Sequence, residues 1–535
     1  MRRTLLVSLL LLLLVMPVFS GGQGEATGSA DRILPSMTGN RLVEETVTMT
    51  AAMLVEPTQS DPEDLAAIQM LQEVTNVDFE FETIPESNYD QRLNLIFAAG
   101  EMPDVLPNGG PPSFIVQQAA NGTIIPYNDL IENWTVNIKE AFERRPDFRQ
   151  ALTLPDGNIY SLWMVEETAG RNWLDPYMIN RVWLDRLGLE MPRTTEELRD
   201  VLIAFRDEDA NGNGDPNDEI PLSWRETGWG GQRIDTFFGA FDIRSSEDQN
   251  HMAWEDGRAF LAAADPRYRE ALEYLNDLYE EDLVDPESFT QDVAQLRAKA
   301  QADRLGSFIF FWPPNITGNE LFGDFELLEP LQGPIGEPTG YLAQFIGGFD
   351  PTQWLITSTN PYPEVAIRIA DVMLDGDEMS LNIAYGPEGH FWERLPDNRW
   401  TLNSSLIPDG LGEVQWRDQA TSRNLPSNRD RDLYERFDGD PQSTQVVRAR
   451  WFTEGIEPYL RKDPPPDFWF DDATNAEVTS IATELNTYVA ESRARFVLEG
   501  ITDSEWDDYL RDLQRIGSDR LIEIYQQAYE DFYSN

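Results

Sequence analysis

Between Thr46 and Leu106 the chain alternates strand and helix signals in an order that few architectures accommodate. Thr46 to Met53 (TVTMTAAM) alternates and then turns apolar, as a strand entering a core does. Asp61-Pro62 opens a helix to about Val74, since proline at the first helical position lacks only an N–H that is unpaired there anyway. Val77 to Thr83 reads as a second strand. Ser87 reads as the cap of a helix to Ala99, which stops at Gly100, and Pro103 to Leu106 is a third strand. Strand, helix, strand, helix, strand predicts a parallel sheet covered by helices, an α/β fold. Ligands of such sheets sit beyond the carboxyl ends of the strands, which puts Leu106-Pro-Asn-Gly-Gly110 and its Asn108 at a candidate ligand-facing edge. An ordinary turn is the plain alternative.

The N-terminus carries Arg2 and Arg3, an apolar run from Leu5 to Val15 and Val18-Phe-Ser20. This is the pattern of a signal peptide over residues 1–20, with an apolar run too short to span a bilayer. Residues 21–40 are rich in Gly, Ser, Thr and Ala and read as a flexible tether. The chain has no cysteine, so neither disulfides nor lipid anchoring through a cysteine is available to it. The expected product is an exported protein, periplasmic or extracellular, with no inserted segment after cleavage.

The remaining ~500 residues exceed one ordinary domain and predict two or more lobes. A formal net charge of −54 argues against nucleic acid or an anionic membrane as partner. Lysine occurs only at Lys139, Lys299 and Lys462. An acidic, lysine-poor surface suits high salt, where screening removes self-repulsion.

A second constraint is Asp209-Ala-Asn-Gly-Asn-Gly-Asp-Pro-Asn-Asp-Glu219. Asp209, Asn211 and Asn213 recur at every second residue, Asp215 can add a carbonyl, and Asp218 and Glu219 add carboxylates. Ca²⁺ takes about 6–8 oxygens, and a short loop of alternating acidic and amide side chains can supply them. Gly212 and Gly214 allow the tight path. The loop departs from the EF-hand pattern, because Glu219 stands at position 11 and Ile220 at position 12. The helix entering it opens on Thr194-Thr-Glu-Glu197, a capping-box pattern, with Leu198, Val201, Leu202 and Phe205 as its apolar stripe. Ile220 to Leu222 reads as a strand, not as a second EF-hand helix. A structural Ca²⁺ is the expectation; a solvated acidic turn is the alternative.

Further along, Arg267 to Glu281 and Gln291 to Arg304 are amphipathic helices, Ser307 to Trp312 a buried strand, Gln353 to Thr357 another strand and Pro363 to Leu374 a helix. The last ~60 residues are mostly helical.

Several segments together resemble the extracellular solute-binding proteins of family 1, the receptors of carbohydrate ABC importers, and within them the long subgroup of alginate-oligosaccharide-binding and LipO-like proteins. The matching residues are Tyr89 to Leu95 (YDQRLNL) through Ala99-Gly-Glu-Met-Pro-Asp104, Leu154-Pro-Asp-Gly-Asn-Ile-Tyr160 and Trp183 to Gly188 with Pro192 to Leu198. They continue through the 209–219 loop, Leu275 to Glu287, Tyr385-Gly-Pro-Glu-Gly389, Arg495 to Gly500, Trp506-Asp-Asp-Tyr509 and Ile524 to Tyr529. The resemblance implies a two-lobe periplasmic-binding-protein fold, type II-like, with a hinge and a helical C-terminal segment. Lobe I would hold 41–165 plus about 345–395; lobe II about 166–344 plus 396–535. It also implies a monomer that captures an oligosaccharide between the lobes and delivers it to the permease subunits of an ABC importer. Calcium would be held by Asp209, Asn211, Asn213, Asp215, Asp218 and Glu219.

Sugar rings pack their C–H faces on aromatic side chains, while their hydroxyls need fixed partners. Trp173, Trp229, Trp312 and Trp392 stand in loop contexts and are the candidate sugar platforms, although a packed core or lobe-surface ring is the commoner fate of such a residue. Trp354 is better read as core. An acidic sugar would require an arginine cluster, for which Arg171, Arg225 and Arg233 are the candidates.

The competing reading is a secreted glycosidase or lyase using paired carboxylates. With 95 acidic residues any such pair is unspecific, and the chain shows no nucleophile elbow, phosphate-binding loop or histidine cluster. A repetitive calcium-stabilised surface protein is disfavoured because no repeat is present.

Overall fold

The computed structural model describes residues 33–56, 59–167, 176–225, 234–310, 313–340, 348–407, 413–422, 425–439, 444–460 and 468–534. The expected signal peptide, most of the expected tether, Trp173, Trp229, Trp312, Arg171 and Arg233 lie outside them.

The opening segment folds as its pattern requires. Strand Val47–Val55 runs parallel to Val77–Pro85 over its whole length and to Val105–Leu106 at Ala51. Helices Ala66–Thr75 and Tyr89–Ala99 make the crossovers. Ser87 does not cap the second of these; its hydroxyl bonds Asn88, which takes the N-cap position, behind a 3-10 turn from Glu86.

Strand Leu355–Ile356 returns late in the sequence and joins the far side of Val105–Leu106 antiparallel, completing a four-stranded sheet. The single strand expected from Gln353 to Thr357 is broken at Trp354, whose φ of 58° turns the chain. Phe349–Gln353 therefore belongs to another sheet, with Leu162–Glu166 and Ser427–Arg429. Trp354 is core, as its apolar context implies: its N–H donates to the Ala366 carbonyl at 3.0 Å, and its own carbonyl accepts from the Tyr127 hydroxyl at 2.6 Å. Periodicity cannot register a turn made by one left-handed residue inside an apolar run.

The cores divide in two. One joins Val47, Met49, Leu71, Trp163 and Phe349 to the buried helix Pro363–Met373. The other joins Trp183, Leu202, Phe205, Leu272 and Leu275 to Leu485, Val489, Tyr509 and Leu521 of the C-terminal helices. Helices Asp472–Glu499, Asp503–Ile516 and Ser518–Ser534 pack on helix Pro266–Glu280 and a hairpin, Met252–Glu255 with Arg258–Leu261. A further cluster gathers Tyr385, Trp392, Trp400 and Leu433. Two α/β lobes result, each with its own apolar centre.

Cations are mostly arginines held on surface carboxylates, as in Arg92–Glu82 at 2.5 Å and Arg520–Glu477 at 2.9 Å. Exposed pairs contribute little, and a net charge of −54 remains after every cation is counted. The melting temperature is expected to rise between about 0.1 and 1 M NaCl, as the Debye length falls from ~10 to ~3 Å. A stability or solubility optimum at low salt would count against adaptation to salt.

Candidate functional site

The parallel strands of the first lobe end at Val55, Pro85 and Leu106, and the loop after Leu106 is tied down tightly. Asn108, 6% exposed, accepts from the Leu54 N–H at 2.9 Å and donates to the Ser422 hydroxyl at 3.0 Å. It thereby joins the strand ends to residues 418–422. Gly109 has φ +66°, and a Cβ there would lie 1.6 Å from the Thr352 carbonyl, so only glycine fits. Tyr89 donates its hydroxyl to the Gly109 carbonyl at 2.8 Å. Two buried amide atoms at this edge, Gln59 Nε2 and Gln353 Oε1, have no hydrogen-bond partner among the described residues. Sequence reasoning singled out Asn108 but missed Gln59, Gln353 and Ser422. They converge through the returning strand and the 418–422 turn, contacts that no local pattern encodes.

Beneath this edge the chain passes between the lobes. Strand Leu162–Glu166 belongs to the first core and Tyr177–Asn180 to the second, and the chain returns at Phe349–Gln353. At the end of Leu162–Glu166 sits a buried ion pair: Arg429 Nη1 lies 3.2 Å from Glu166 Oε2. Tyr434 donates to Glu166 Oε1 at 3.3 Å, and the Arg429 guanidinium lies 5.9 Å from the Tyr385 ring centroid. Burial acts to lower the Arg429 pKa, but the Glu166 charge together with Tyr434 and Tyr385 outweighs it and holds the guanidinium charged. Burial, then the Glu166 charge, pushes the Tyr434 hydroxyl well up.

Of the tryptophans read as sugar platforms, the described one is Trp392. It is 1% exposed and packs with Tyr385 and Trp400, and its N–H is taken by the Gly386 carbonyl at 2.9 Å and Asn382 Oδ1 at 3.2 Å. Its ring fills a core that Leu433 closes together with nearer residues, which its loop context did not register. Arg225 sits over the Phe310 ring at 5.5 Å. His251 is buried against Ser245, its pKa lowered by burial to about 3, and His390 stacks on Trp416 at 4.2 Å.

The 209–219 loop follows helix Thr195–Asp207, whose N-cap Thr194 accepts from the Glu197 N–H at 3.0 Å. The reciprocal bond of the capping box falls one residue early, from the Arg193 N–H to Glu197 Oε2. In the loop Gly212 and Gly214 take φ +73° and +93°. Asn211 and Asn213 both donate to Asp218, at 3.0 and 3.1 Å, while their side-chain oxygens accept the Asn213 and Asp215 N–H groups. Asp209 Oδ2 accepts the Gly214 N–H at 3.0 Å. Asp209 Oδ1 and Glu219 Oε2 are buried with no hydrogen-bond partner. Burial pushes the Glu219 carboxyl above its ordinary value, with the Asp218 charge adding to it and backbone N–H donors offsetting part. Among the described residues no group of three or more His, Asp or Glu is already drawn together as a metal site. The expected strand from Ile220 to Leu222 is reduced to isolated bridges, Ile220 with Leu305 and Leu222 with Val284. Arg186 donates to the Ala210 carbonyl and Arg304 to the Asp218 carbonyl, so the loop is anchored at both shoulders.

Two α/β lobes, with polar atoms left without partners at the strand ends of the first, are the architecture of a binding protein that encloses its ligand. Residues 58–375 match the model of the bacterial extracellular solute-binding proteins, and the chain belongs to that family. It is similar to the fructooligosaccharide ABC transporter substrate-binding protein FusA of Streptococcus pneumoniae, at 28% identity over 91% of this chain and 90% of that protein. It is more distantly similar to the polygalacturonan/rhamnogalacturonan-binding protein YtcQ of Bacillus subtilis, at 21% identity over 88% and 89%. The solved structure of FusA in complex with kestose superposes with a TM-score of 0.78, at 28% identity, covering 91% of this chain and all of that one. A second FusA structure, an EF-hand mutant in complex with fructo-nystose, superposes equally well, with a TM-score of 0.78 at 27% identity, covering 91% of this chain and 100% of that one. Among the described residues no helix is long and apolar enough to cross a membrane.

Proposed function

We propose that this protein captures a short oligosaccharide between its lobes and presents it to the permease of an ABC importer, as an exported monomer. The observation that carries the proposal is its likeness, over nine-tenths of the chain, to a fructooligosaccharide receptor whose structure holds kestose. The unpartnered Gln59 Nε2 and Gln353 Oε1 atoms at the strand ends support it, because buried donors and acceptors without partners cost about 1–3 kcal/mol until a ligand hydroxyl meets them. Asn108 holds this edge in shape, and Trp173, Trp229 and Trp312 are the ring platforms. A neutral sugar suits a chain this acidic better than a uronate, since the described candidate for an arginine cluster, Arg225, lies over a phenylalanine. The first lobe takes residues 41–165 plus about 345–395, and residues 396–437 join it because Trp400 and Leu433 pack with Tyr385. The second takes about 166–344 and the remainder of the C-terminus.

The 209–219 loop would hold one structural Ca²⁺ through Asp209, Asn211, Asn213, Asp215, Asp218 and Glu219. The orphaned oxygens of Asp209 and Glu219 support this, being acceptors that a cation satisfies and water-poor surroundings do not. When bound, the ion supplies positive charge to a cluster of carboxylates. The residues themselves close the turn between helix Thr195–Asp207 and the second core.

Calorimetric titration of the purified mature protein with kestose is expected to give a Kd near micromolar, about −8 kcal/mol, with the sugar recovered intact. Recovery of cleaved sugar would move the reading to a carbohydrate-active enzyme. Absence of binding to kestose and longer fructans would remove this cargo.

A further inference from the structure

Residues 468–470, Phe-Trp-Phe, lie just before the long helix Asp472–Glu499 and face two ways. The Phe468 ring lies 6.1 Å from Trp254, 6.2 Å from Tyr525 and 6.1 Å from Phe532, and Phe470 meets Tyr525 edge-on at 5.4 Å. All these rings belong to the second lobe. Trp469 turns the other way. It packs against the first-lobe cluster that includes Phe114, Ile115 and Leu154, and its N–H donates to the Ala151 carbonyl at 2.6 Å. Alternation along an extended chain sends neighbouring side chains to opposite sides, so three consecutive aromatics grip both lobes at once.

The contact continues around Trp469. Gln150 donates to the Phe532 carbonyl at 3.0 Å, and the long helix meets helix Pro112–Asn121 of the first lobe. The place is close to the hinge, because Phe148, two residues before Gln150, lies 4.9 Å from Phe349, where the chain re-enters the first lobe. By contrast, the pair Arg431–Glu457, at 3.8 Å, is solvent-exposed and worth little.

We propose that the Phe468-Trp469-Phe470 strap is a non-covalent tether between the lobes that limits how far they open. The tether rests on the reading that the lobes open and close on a ligand, yet it needs no particular sugar. A side chain anchored in one lobe by its ring and in the chain by two flanking rings must leave its seat when the lobes part beyond the separation seen here. Its loss admits more open states, and the apparent affinity for any ligand of the closed form falls by the fraction of protein diverted to them.

The test compares wild type with Trp469→Ala and Trp469→Phe by X-ray scattering and hydrogen exchange without ligand. A larger radius of gyration in Trp469→Ala, with faster amide exchange around residues 150–153 and an intermediate Trp469→Phe, is expected. Kestose affinity of Trp469→Ala should fall about 3- to 10-fold. If wild type does not bind kestose, the cargo reading fails while the ligand-free measurements still decide the tether. Unchanged scattering and exchange in the variants would overturn it. Should Trp469→Ala not fold, Trp469→Phe keeps the ring but lacks the N–H, and the same comparison decides.

Discussion

Chelating calcium from the purified protein is expected to lower its melting temperature, and replacing Asp209 by Ala should abolish the difference between chelated and calcium-loaded samples. A ligand bound only to the folded state stabilises by mass action, about 2.7 kcal/mol when present at 100 times its Kd. For lobes of 150–250 residues this corresponds to roughly 5–10 °C. The effect carries a pH signature through Glu219, whose folded-state pKa is raised by burial. In the metal-free protein the folded state holds more protons than the unfolded one between the ordinary glutamate pKa and the raised value. Stability there falls as pH rises. Calcium demands the ionised carboxylate, so its contribution should grow as pH rises through the same window and fade below it. Calorimetric scans with calcium and with chelator at several pH values read all of this. Identical melting temperatures at neutral pH would remove the calcium assignment.

Replacing Arg429 by Met should destabilise the protein by about 3–5 kcal/mol, because it strands the Glu166 carboxylate in the interior. Glu166 would keep the Tyr434 hydroxyl, 3.3 Å away, but lose the guanidinium charge that offsets its removal from water. Without its partner the Glu166 carboxyl would titrate above its unfolded value. Folding then binds a proton, and part of the lost stability should return as pH falls towards 5. The double variant Glu166→Gln/Arg429→Met should be more stable than Arg429→Met alone, since a neutral amide costs less to bury than a charge. Denaturant titration of the variants at two pH values provides the measurement. A cost under about 1 kcal/mol for Arg429→Met would show that water reaches the pair.

The sequence alone determined what depends on neighbours in the chain. The βαβ order of residues 46–106, the helix entered at Thr194 and the glycine-punctuated run from Asp209 to Glu219 were all legible, because period, caps and turn residues act within a few positions. The family was legible for a related reason: short motifs from Tyr89 to Tyr529 stand in a fixed order. Only the tertiary structure decided what depends on residues meeting from far apart. It set Leu433 into the cluster that buries Trp392, and it split one apolar run at Trp354 into strands of two sheets. It brought Ser422 onto Asn108 and Gln353 against Gly109, and it set Glu166 against Arg429. An aromatic or an amide has the same local signature in a core, a cleft or a strap, and burial by distant partners is what separates those fates.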